Sequence, residues 1–361
     1  QMKLAHEVLI YANPHPLLIS RQAIFPGIVQ LPDESLLAMF SIGQAFDAAD
    51  HRTFISKSDN LGRSWTVPRR MNDHEFQPDQ ISETLKPLLL SDGSLLATGY
   101  GFVRPDDITP IVDPDTFDVL SLKHMISKST DNGATWEKPR IVDIGGRALE
   151  ISGPCIQLTS GRILAAAPPF HLGVDGHVGW IIYSDDGGQN WDRLSTFFES
   201  PTGEVAAWEC RLCETSTGQL AVLFWAYDNE KKCNLNNHIV ISNDGGKSFG
   251  LAVDTGVRGQ ASNLMPCGVG KILTIHAHRE NPVGLWVRKV NIENGSFEIE
   301  SEVNLFSDDT MGSDATDIRK QFGSLKFGQP SLLQLSNGQV LAACWAFENC
   351  QHVIKGFMLD L

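Results

Sequence analysis

The chain has 361 residues, with 29 Lys and Arg against 43 Asp and Glu, for a formal net charge of -14 at pH 7. Such an acidic balance without a basic cluster argues against nucleic acid or an anionic membrane surface as partner, because a favourable phosphate term needs grouped Lys and Arg. No apolar run reaches the roughly 18 residues a membrane-spanning helix requires, whereas a local group of Arg can still hold an acidic small molecule against the global field.

Along the chain, Glu7 to Ala12 (EVLIYA) is the first strand signal. From residue 28 onward, apolar strands break at a turn and resume in IVQLPDESLLAMF (28 to 40), LLLSDGSLLATG (88 to 99), IQLTSGRILAAA (156 to 167), RLCETSTGQLAVLF (211 to 224), LMPCGVGKILTIH (264 to 276) and LLQLSNGQVLAACW (332 to 345). The turn positions are Glu34, Gly93, Gly161, Gly218, Gly270 and Gly338, spaced by 52 to 68 residues. That spacing suits four short strands with their loops. A second repeat interleaves with the first: Ser58 to Trp65 (SDNLGRSW), Ser129 to Trp136 (STDNGATW), Ser184 to Trp191 (SDDGGQNW) and Ser242 to Phe249 (SNDGGKSF). Each copy follows a β-rich run, offers Asp or Asn to bond its own backbone, places Gly where positive φ is needed, and closes on an aromatic that plugs the turn. A worn copy is Asn291 to Phe297 (NIENGSF).

Six hairpin copies predict an all-β chain, a six-bladed β-propeller of four-stranded antiparallel blades with residues 1–361 forming one domain. The last blade stops at its third strand, His352 to Leu361, so Glu7 to Ala12 is expected to supply the fourth and close the ring. Seven cysteines, an odd number scattered over the later blades, read as reduced thiols. With no signal-peptide pattern in QMKLAHEVLI, they favour a cytoplasmic setting, a periplasmic or secreted one staying open if a leader was removed. The lone Cys210-x-x-Cys213 pair is expected to point to opposite faces of a strand, and no metal or other cofactor is called for.

The phrase ending in Trp136 resembles the Asp box of the sialidase superfamily, Ser-x-Asp-x-Gly-x-Thr-Trp in generic form, with Asn60 at the Asp position of the first copy and Phe249 at the Trp position of the fourth. The resemblance extends unevenly over essentially the whole chain. FPGIVQLPDESLLAMF (25 to 40) is similar to the family's opening Arg-Ile-Pro strand and SGPCIQLTSGRILAAAP (152 to 168) to the Gly-Pro strand of its third blade. WECRLCETSTGQLAVLF (208 to 224) is similar to the segment carrying the catalytic-site Glu, and FGQPSLLQLSNGQVLAACW (327 to 345) to the final Tyr-Ser strand. The resemblance implies an Arg triad that clamps a substrate carboxylate, a nucleophilic Tyr paired with a Glu, and a first-blade Asp as acid/base. By position, Glu209 matches the Glu, and Asp47 or Asp50 lies in the loop that supplies the acid/base. Departures are evident: Ile24 stands at the first triad Arg with Arg21 nearest, Trp225-Ala226 stands where the second would follow, Arg279 lies near the third, and Gln329 occupies the Tyr position. An amide cannot attack an anomeric carbon.

Both hairpins of a blade turn on one face of the propeller, so a pocket is expected at the opposite rim. There Asp47, Asp50, Glu83, Glu150 and Glu209 offer an acid and a base or nucleophile, whose separation decides retention or inversion. Arg21, Lys86, Arg211 and Arg279 can bind a uronate or another acidic sugar, while Trp208, Trp225 and Trp345 can stack on a ring face. His171, His276 and His278 form an alternative set suited to a lyase. Each has a plainer role open to it: Glu209 and Arg211 share a strand face and can simply pair with rim charges, the His and Lys86 can decorate loops, and the Trp can pack blades. The expectation is an exo-glycosidase of the sialidase superfamily releasing a terminal sugar, an acidic one favoured, from a glycan or small-sugar partner. The alternatives are a true exo-α-sialidase with a rebuilt Arg clamp and a carbohydrate-binding propeller without turnover.

Overall fold

Unbroken apolar strands arise when a sheet is covered on both faces, and the computed structural model, which describes residues 1–170, 177–306, 308–313 and 321–361, places them so. After β1 (Lys3–Tyr11), blade one comprises β2 (Gln22–Gln30), β3 (Leu36–Gly43), β4 (Arg52–Ser58) and β5 (Arg69–Arg70). Blade two comprises β6 (Gln80–Leu89), β7 (Leu95–Arg104), β8 (Leu122–Ser129) and β9 (Arg140–Val142), and blade three β10 (Ile156–Gln157), β11 (Ile163–Ala167), β12 (His177–Ser184) and β13 (Asp192–Ser200). Blade four orders β14 (Val205–Ser216), β15 (Gln219–Asp228), β17 (His238–Ser242) and β18 (Val253–Asp254), with the short β16 (Cys233–Asn234) also on β15. Blade five is β19 (Ser262–Pro266), β20 (Lys271–His278), β21 (Gly284–Asn291) and β22 (Glu298–Asn304). Blade six joins β23 (Phe327–Gln334), β24 (Val340–Glu348) and β25 (Gln351–Asp360) to β1, which runs antiparallel to β25 from Lys3 opposite Asp360 to Tyr11 opposite Ile354. The N-terminal strand therefore closes the ring.

The core lies between blades, and strand alternation feeds it. On β3, Leu36, Ala38 and Phe40 pack toward blade six, while Leu37 and Met39 pack toward blade two. On β15, Leu220, Val222 and Phe224 face blade three and Ala221 and Leu223 face blade five. A period of two with both phases apolar is how a continuous hydrophobic strand serves two interfaces. Cys210 and Cys213 fall on opposite sides of blade four by the same rule, and all seven cysteines are free thiols.

The turns behave as read. Glu34, Gly93, Gly161, Gly218, Gly270 and Gly338 all have positive φ, from 63° to 93°. In the four Asp boxes, the hydroxyls of Ser58, Ser129, Ser184 and Ser242 accept from the backbone N–H of Gly62, Gly133, Gly188 and Gly246 at 2.8 to 2.9 Å. Trp65, Trp136 and Trp191 donate from the indole to the carbonyl of the same glycine. The worn copy lacks this wiring and turns through a short 3-10 helix, Glu293–Gly295. In the third box, Asp186 accepts from the Ser184 hydroxyl at 2.8 Å and from the Asn190 backbone and side chain at 2.9 and 2.7 Å. Asp186→Ala should lower the melting temperature, at a cost of about 0.5–2 kcal/mol by analogy with helix caps, while leaving any activity at the opposite rim unchanged. Lost activity at an unaltered melting temperature would move the functional face.

Several histidines are buried. Burial lowers His124 to about 3 and His51 to about 4, and drives His276 well below its ordinary range. Groups whose folded pKa lies below the unfolded 6.5 bind fewer protons when folded, so their stability is present above pH 6.5 and lost as pH falls toward 4. Thermal melts should show this acid lability, and His124→Leu should flatten it; an unchanged slope would assign the lability to other groups.

Candidate active site

Three blades use one backbone device. Where β2 pairs with β3, β14 with β15 and β23 with β24, the ladder slips between Ile24 and Gly27, between Trp208 and Arg211, and between Gly328 and Ser331. At each slip sits a residue other than glycine with positive φ: Phe25 at 59°, Glu209 at 50° and Gln329 at 39°. A bulge re-aims a side chain, and a left-handed conformation at such residues costs about 1–3 kcal/mol that surrounding packing must offset. All three line one cavity of about 430 Å³.

Beneath it runs a closed ring of hydrogen bonds drawn from blades two, three, four and six. Lys86 Nζ donates to Gln329 Oε1 at 2.5 Å and to the Ser152 carbonyl. Gln329 Nε2 donates to Glu209 Oε1 at 3.0 Å, Arg211 Nη2 to Glu209 Oε2 at 3.2 Å, and Arg211 Nη1 to the Ser152 hydroxyl at 2.7 Å. Glu150 Oε1 accepts from the Glu209 backbone N–H at 3.2 Å. Arg211 reaches this position because Gly153 leaves it room; a Cβ there would lie 2.6 Å from Arg211 Cδ.

Burial sets the protonation of this ring. Desolvation raises Glu150 to about 8, assisted by the neighbouring Glu209 charge. Desolvation together with Arg211 lowers Lys86 to about 7, against the pull of Glu209 and Glu150. Tyr100, whose hydroxyl has Gln329 as its hydrogen-bonding neighbour, is held as a neutral phenol by burial and by the Glu209 and Glu150 charges. Carboxylates with unlike environments are thus stacked at the axis, one exposed to the cavity and one proton-bearing below it.

Arg279 is the cation that reaches the cavity from blade five. Its Nε donates to the Phe327 carbonyl at 2.9 Å and its Nη1 to Gln260 Oε1 at 2.7 Å, while Nη2 has no hydrogen-bond partner among the described residues. Burial lowers it to about 10, so it stays charged. Across the cavity, Asp47 Oδ1 pairs with Arg104 Nη2 at 2.6 Å and Oδ2 accepts from the Ile111 backbone N–H at 2.9 Å. Glu83 also lines the cavity, but its oxygens are taken by His74 Nε2 at 2.8 Å and the Thr53 backbone N–H at 3.3 Å. Trp225 stands edge-on to Trp208, and Trp345 packs on Phe25 and Phe46; both Trp225 and Trp345 serve packing and the cavity wall together.

Seven residues singled out from the sequence therefore share this lining: Asp47, Glu83, Glu209, Trp225, Arg279, Gln329 and Trp345. Lys86, Glu150 and Arg211 lie under it. Asp50 instead accepts from the Gln44 backbone N–H at 3.0 Å, and neither it nor Arg21 is part of the lining. His276 and His278 do not reach the cavity: the Gly259 backbone covers the His276 ring, and His278 Nε2 is engaged by Arg288 at 3.1 Å. His171 lies outside the described residues. Missed in the sequence were Tyr100 and Arg104 as individual residues, Gln260, and the apolar side chains of the connection 105–121. The length of that connection was the only available signal.

Residues 108–342 match the model of a family described as a BNR repeat-like domain. Among solved structures, the chain is similar to a protein of unknown function from Dyadobacter fermentans at 21% identity and a TM-score of 0.78, covering 100% of this chain and 99% of that one. It is also similar to the NanB sialidase of Streptococcus pneumoniae, at 13% identity and a TM-score of 0.66 over 98% and 70% of the two chains. The intramolecular trans-sialidase of Ruminococcus gnavus gives 13% identity and a TM-score of 0.63 over 95% of each. At these identities the likeness is one of fold. No curated protein matches the chain. No helix among the described residues is long and apolar enough to cross a membrane.

Proposed function

The chain belongs to the BNR repeat-like domain family, and from that premise we propose that it is a glycoside hydrolase releasing a terminal acidic sugar. The observation that carries this reading is the pairing, in one cavity, of the Glu209 carboxylate with an Arg279 guanidinium whose Nη2 has no hydrogen-bond partner among the described residues. Arg279 would hold the sugar carboxylate by a charge-assisted hydrogen bond from Nη2. Glu209 accepts from both Gln329 and Arg211, which leaves it placed to stabilise positive charge at the anomeric carbon and to take a proton from an attacking water. With Gln329 at the position of the resembled family's nucleophilic Tyr and the neighbouring Tyr100 held as a neutral phenol, water is the nucleophile. Asp47, whose side chain is 32% exposed where that of Glu83 is 1% exposed, would exchange the proton of the glycosidic oxygen.

Gln329 also favours a second reading, a propeller that binds such a sugar without cleaving it. One screen separates the two: hydrolysis of aryl glycosides of sialic acid, uronic acids and neutral sugars, run beside a glycan-binding assay. Cleavage of an acidic glycoside is the expected result. Binding with no cleavage would hand the site to the second reading, and cleavage confined to neutral sugars would remove the role given to Arg279.

A further inference from the structure

We propose that the substrate is a sugar joined to an apolar aglycone, alkyl or aryl, and that the connection 105–121 is the wall that selects it. This inference rests on the glycosidase reading and specifies the other half of its substrate. Second and third strands are joined by residues 349–350 in blade six, 279–283 in blade five and 44–51 in blade one, but by 105–121 in blade two. The long connection folds back on itself, with Val112 bridged to Val119 and the Leu120 N–H donating to the Ile111 carbonyl at 2.9 Å. Phe117 turns it at a φ of 64°. It thereby lays Ile111, Val112 and Phe117 along the cavity, where Val112 and Phe117 pack with Trp208, Trp225 and Tyr227 of blade four. Phe322 and Leu325 line the cavity as well.

Burial orders these groups by depth. Arg279, Gln329 and Tyr100 are buried, whereas Ile111, Val112, Phe117, Phe322 and Leu325 are only partly covered. The buried lining mixes these polar groups with Phe102, Trp225 and Trp345, whereas the more open lining is apolar apart from Glu209 and Asp47. A second sugar set against Ile111, Val112, Phe117, Phe322 and Leu325 would meet side chains that neither donate nor accept, at a desolvation cost with no compensating bond from them. An alkyl or aryl group would instead exchange water for apolar contact. The wall is also tied to the chemistry, because Asp47 Oδ2 accepts from the Ile111 backbone N–H at 2.9 Å. The carboxylate assigned to the glycosidic oxygen and the surface met by whatever that oxygen carries are thus fixed to each other.

Methyl and n-hexyl glycosides of glucuronic and sialic acid test the point, since their leaving groups are chemically alike and differ in apolar length. Affinity by calorimetry and kcat/KM should both favour n-hexyl by at least about tenfold, the discrimination a hydrophobic pocket makes over one methylene or more. Val112→Thr, close to isosteric, and Ile111→Thr should each pull that ratio toward unity, with the melting temperature as folding control. Equal handling of both glycosides by the parent, or no measurable binding of either, overturns the proposal. Cleavage without chain-length preference leaves the hydrolase reading intact while removing this one. Preferential binding of n-hexyl glycosides without cleavage keeps the apolar wall and removes the hydrolase.

Discussion

Glu209→Gln is expected to abolish most turnover on whichever glycoside the screen identifies, by about 10² to 10⁴-fold, the usual loss for an acid/base group. The amide keeps the size but only one acceptor oxygen, so it can answer Arg211 or Gln329, which now address separate oxygens of Glu209, and it can neither accept a proton from water nor balance charge at the anomeric carbon. The fold should survive for a reason visible beneath the cavity. The Glu209 charge is one of the causes that raise Glu150, so its removal lets Glu150 ionise more readily and supply an anion near Lys86 and Arg211. This relaxation has its own readout. A carboxyl with a folded pKa above its unfolded value contributes stability at low pH that is lost as pH rises through the folded pKa. For Glu150 the window runs from about 4.5 to about 8, and stability in Glu209→Gln should fall less across it than in the parent. Asp47→Asn should also lose turnover, whereas Asp50→Asn should not, because an Asn oxygen can still accept from the Gln44 N–H. Parent-level cleavage by both Glu209→Gln and Asp47→Asn would show that these carboxylates do not carry the reaction.

The parts of the molecule written in local sequence were legible, and the parts created by convergence were not. An Asp box is wired within eight residues, so Ser184, Asp186, Gly188 and Trp191 announce their turn without any knowledge of the rest. Strand β1 stood out as an apolar run, EVLIYA, ahead of the first hairpin copy, and it pairs with β25 of blade six. By contrast, the Lys86 to Gln329 bond joins residues 243 apart in sequence, and nothing around one end points to the other. The bulges are equally silent, because positive φ at Phe25, Glu209 and Gln329 uses residue types with no left-handed preference. Glu209 was found through a positional match alone. His276 shows the opposite failure: strand position alone put it among the rim candidates, but the neighbouring backbone at Gly259 covers the ring. Asp50 was indistinguishable from Asp47 on sequence, and only the reach of Ile111 and Arg104 to the latter separates them.

Arg279→Lys is expected to lower kcat/KM on an acidic glycoside by about 10- to 100-fold, the equivalent of one hydrogen bond to a charged group. Lys keeps the positive charge but loses the planar fork that now spends Nε on the Phe327 carbonyl and Nη1 on Gln260 while leaving Nη2 for a ligand. A second variant reaches the same atom without touching the arginine. Gly328 does not have positive φ, so alanine fits its backbone, yet a Cβ there would lie 2.1 Å from Arg279 Nη2. Gly328→Ala must therefore displace the end of the guanidinium while retaining its charge and its neighbours. Both variants should lose far more activity on acidic than on neutral glycosides, with KM rising more than kcat falls if Arg279 holds the carboxylate equally in the ground and transition states. Equal losses on acidic and neutral substrates would make Arg279 a structural brace between blades five and six. Parent-level activity on acidic substrates in both variants would remove the acidic sugar from the proposal altogether.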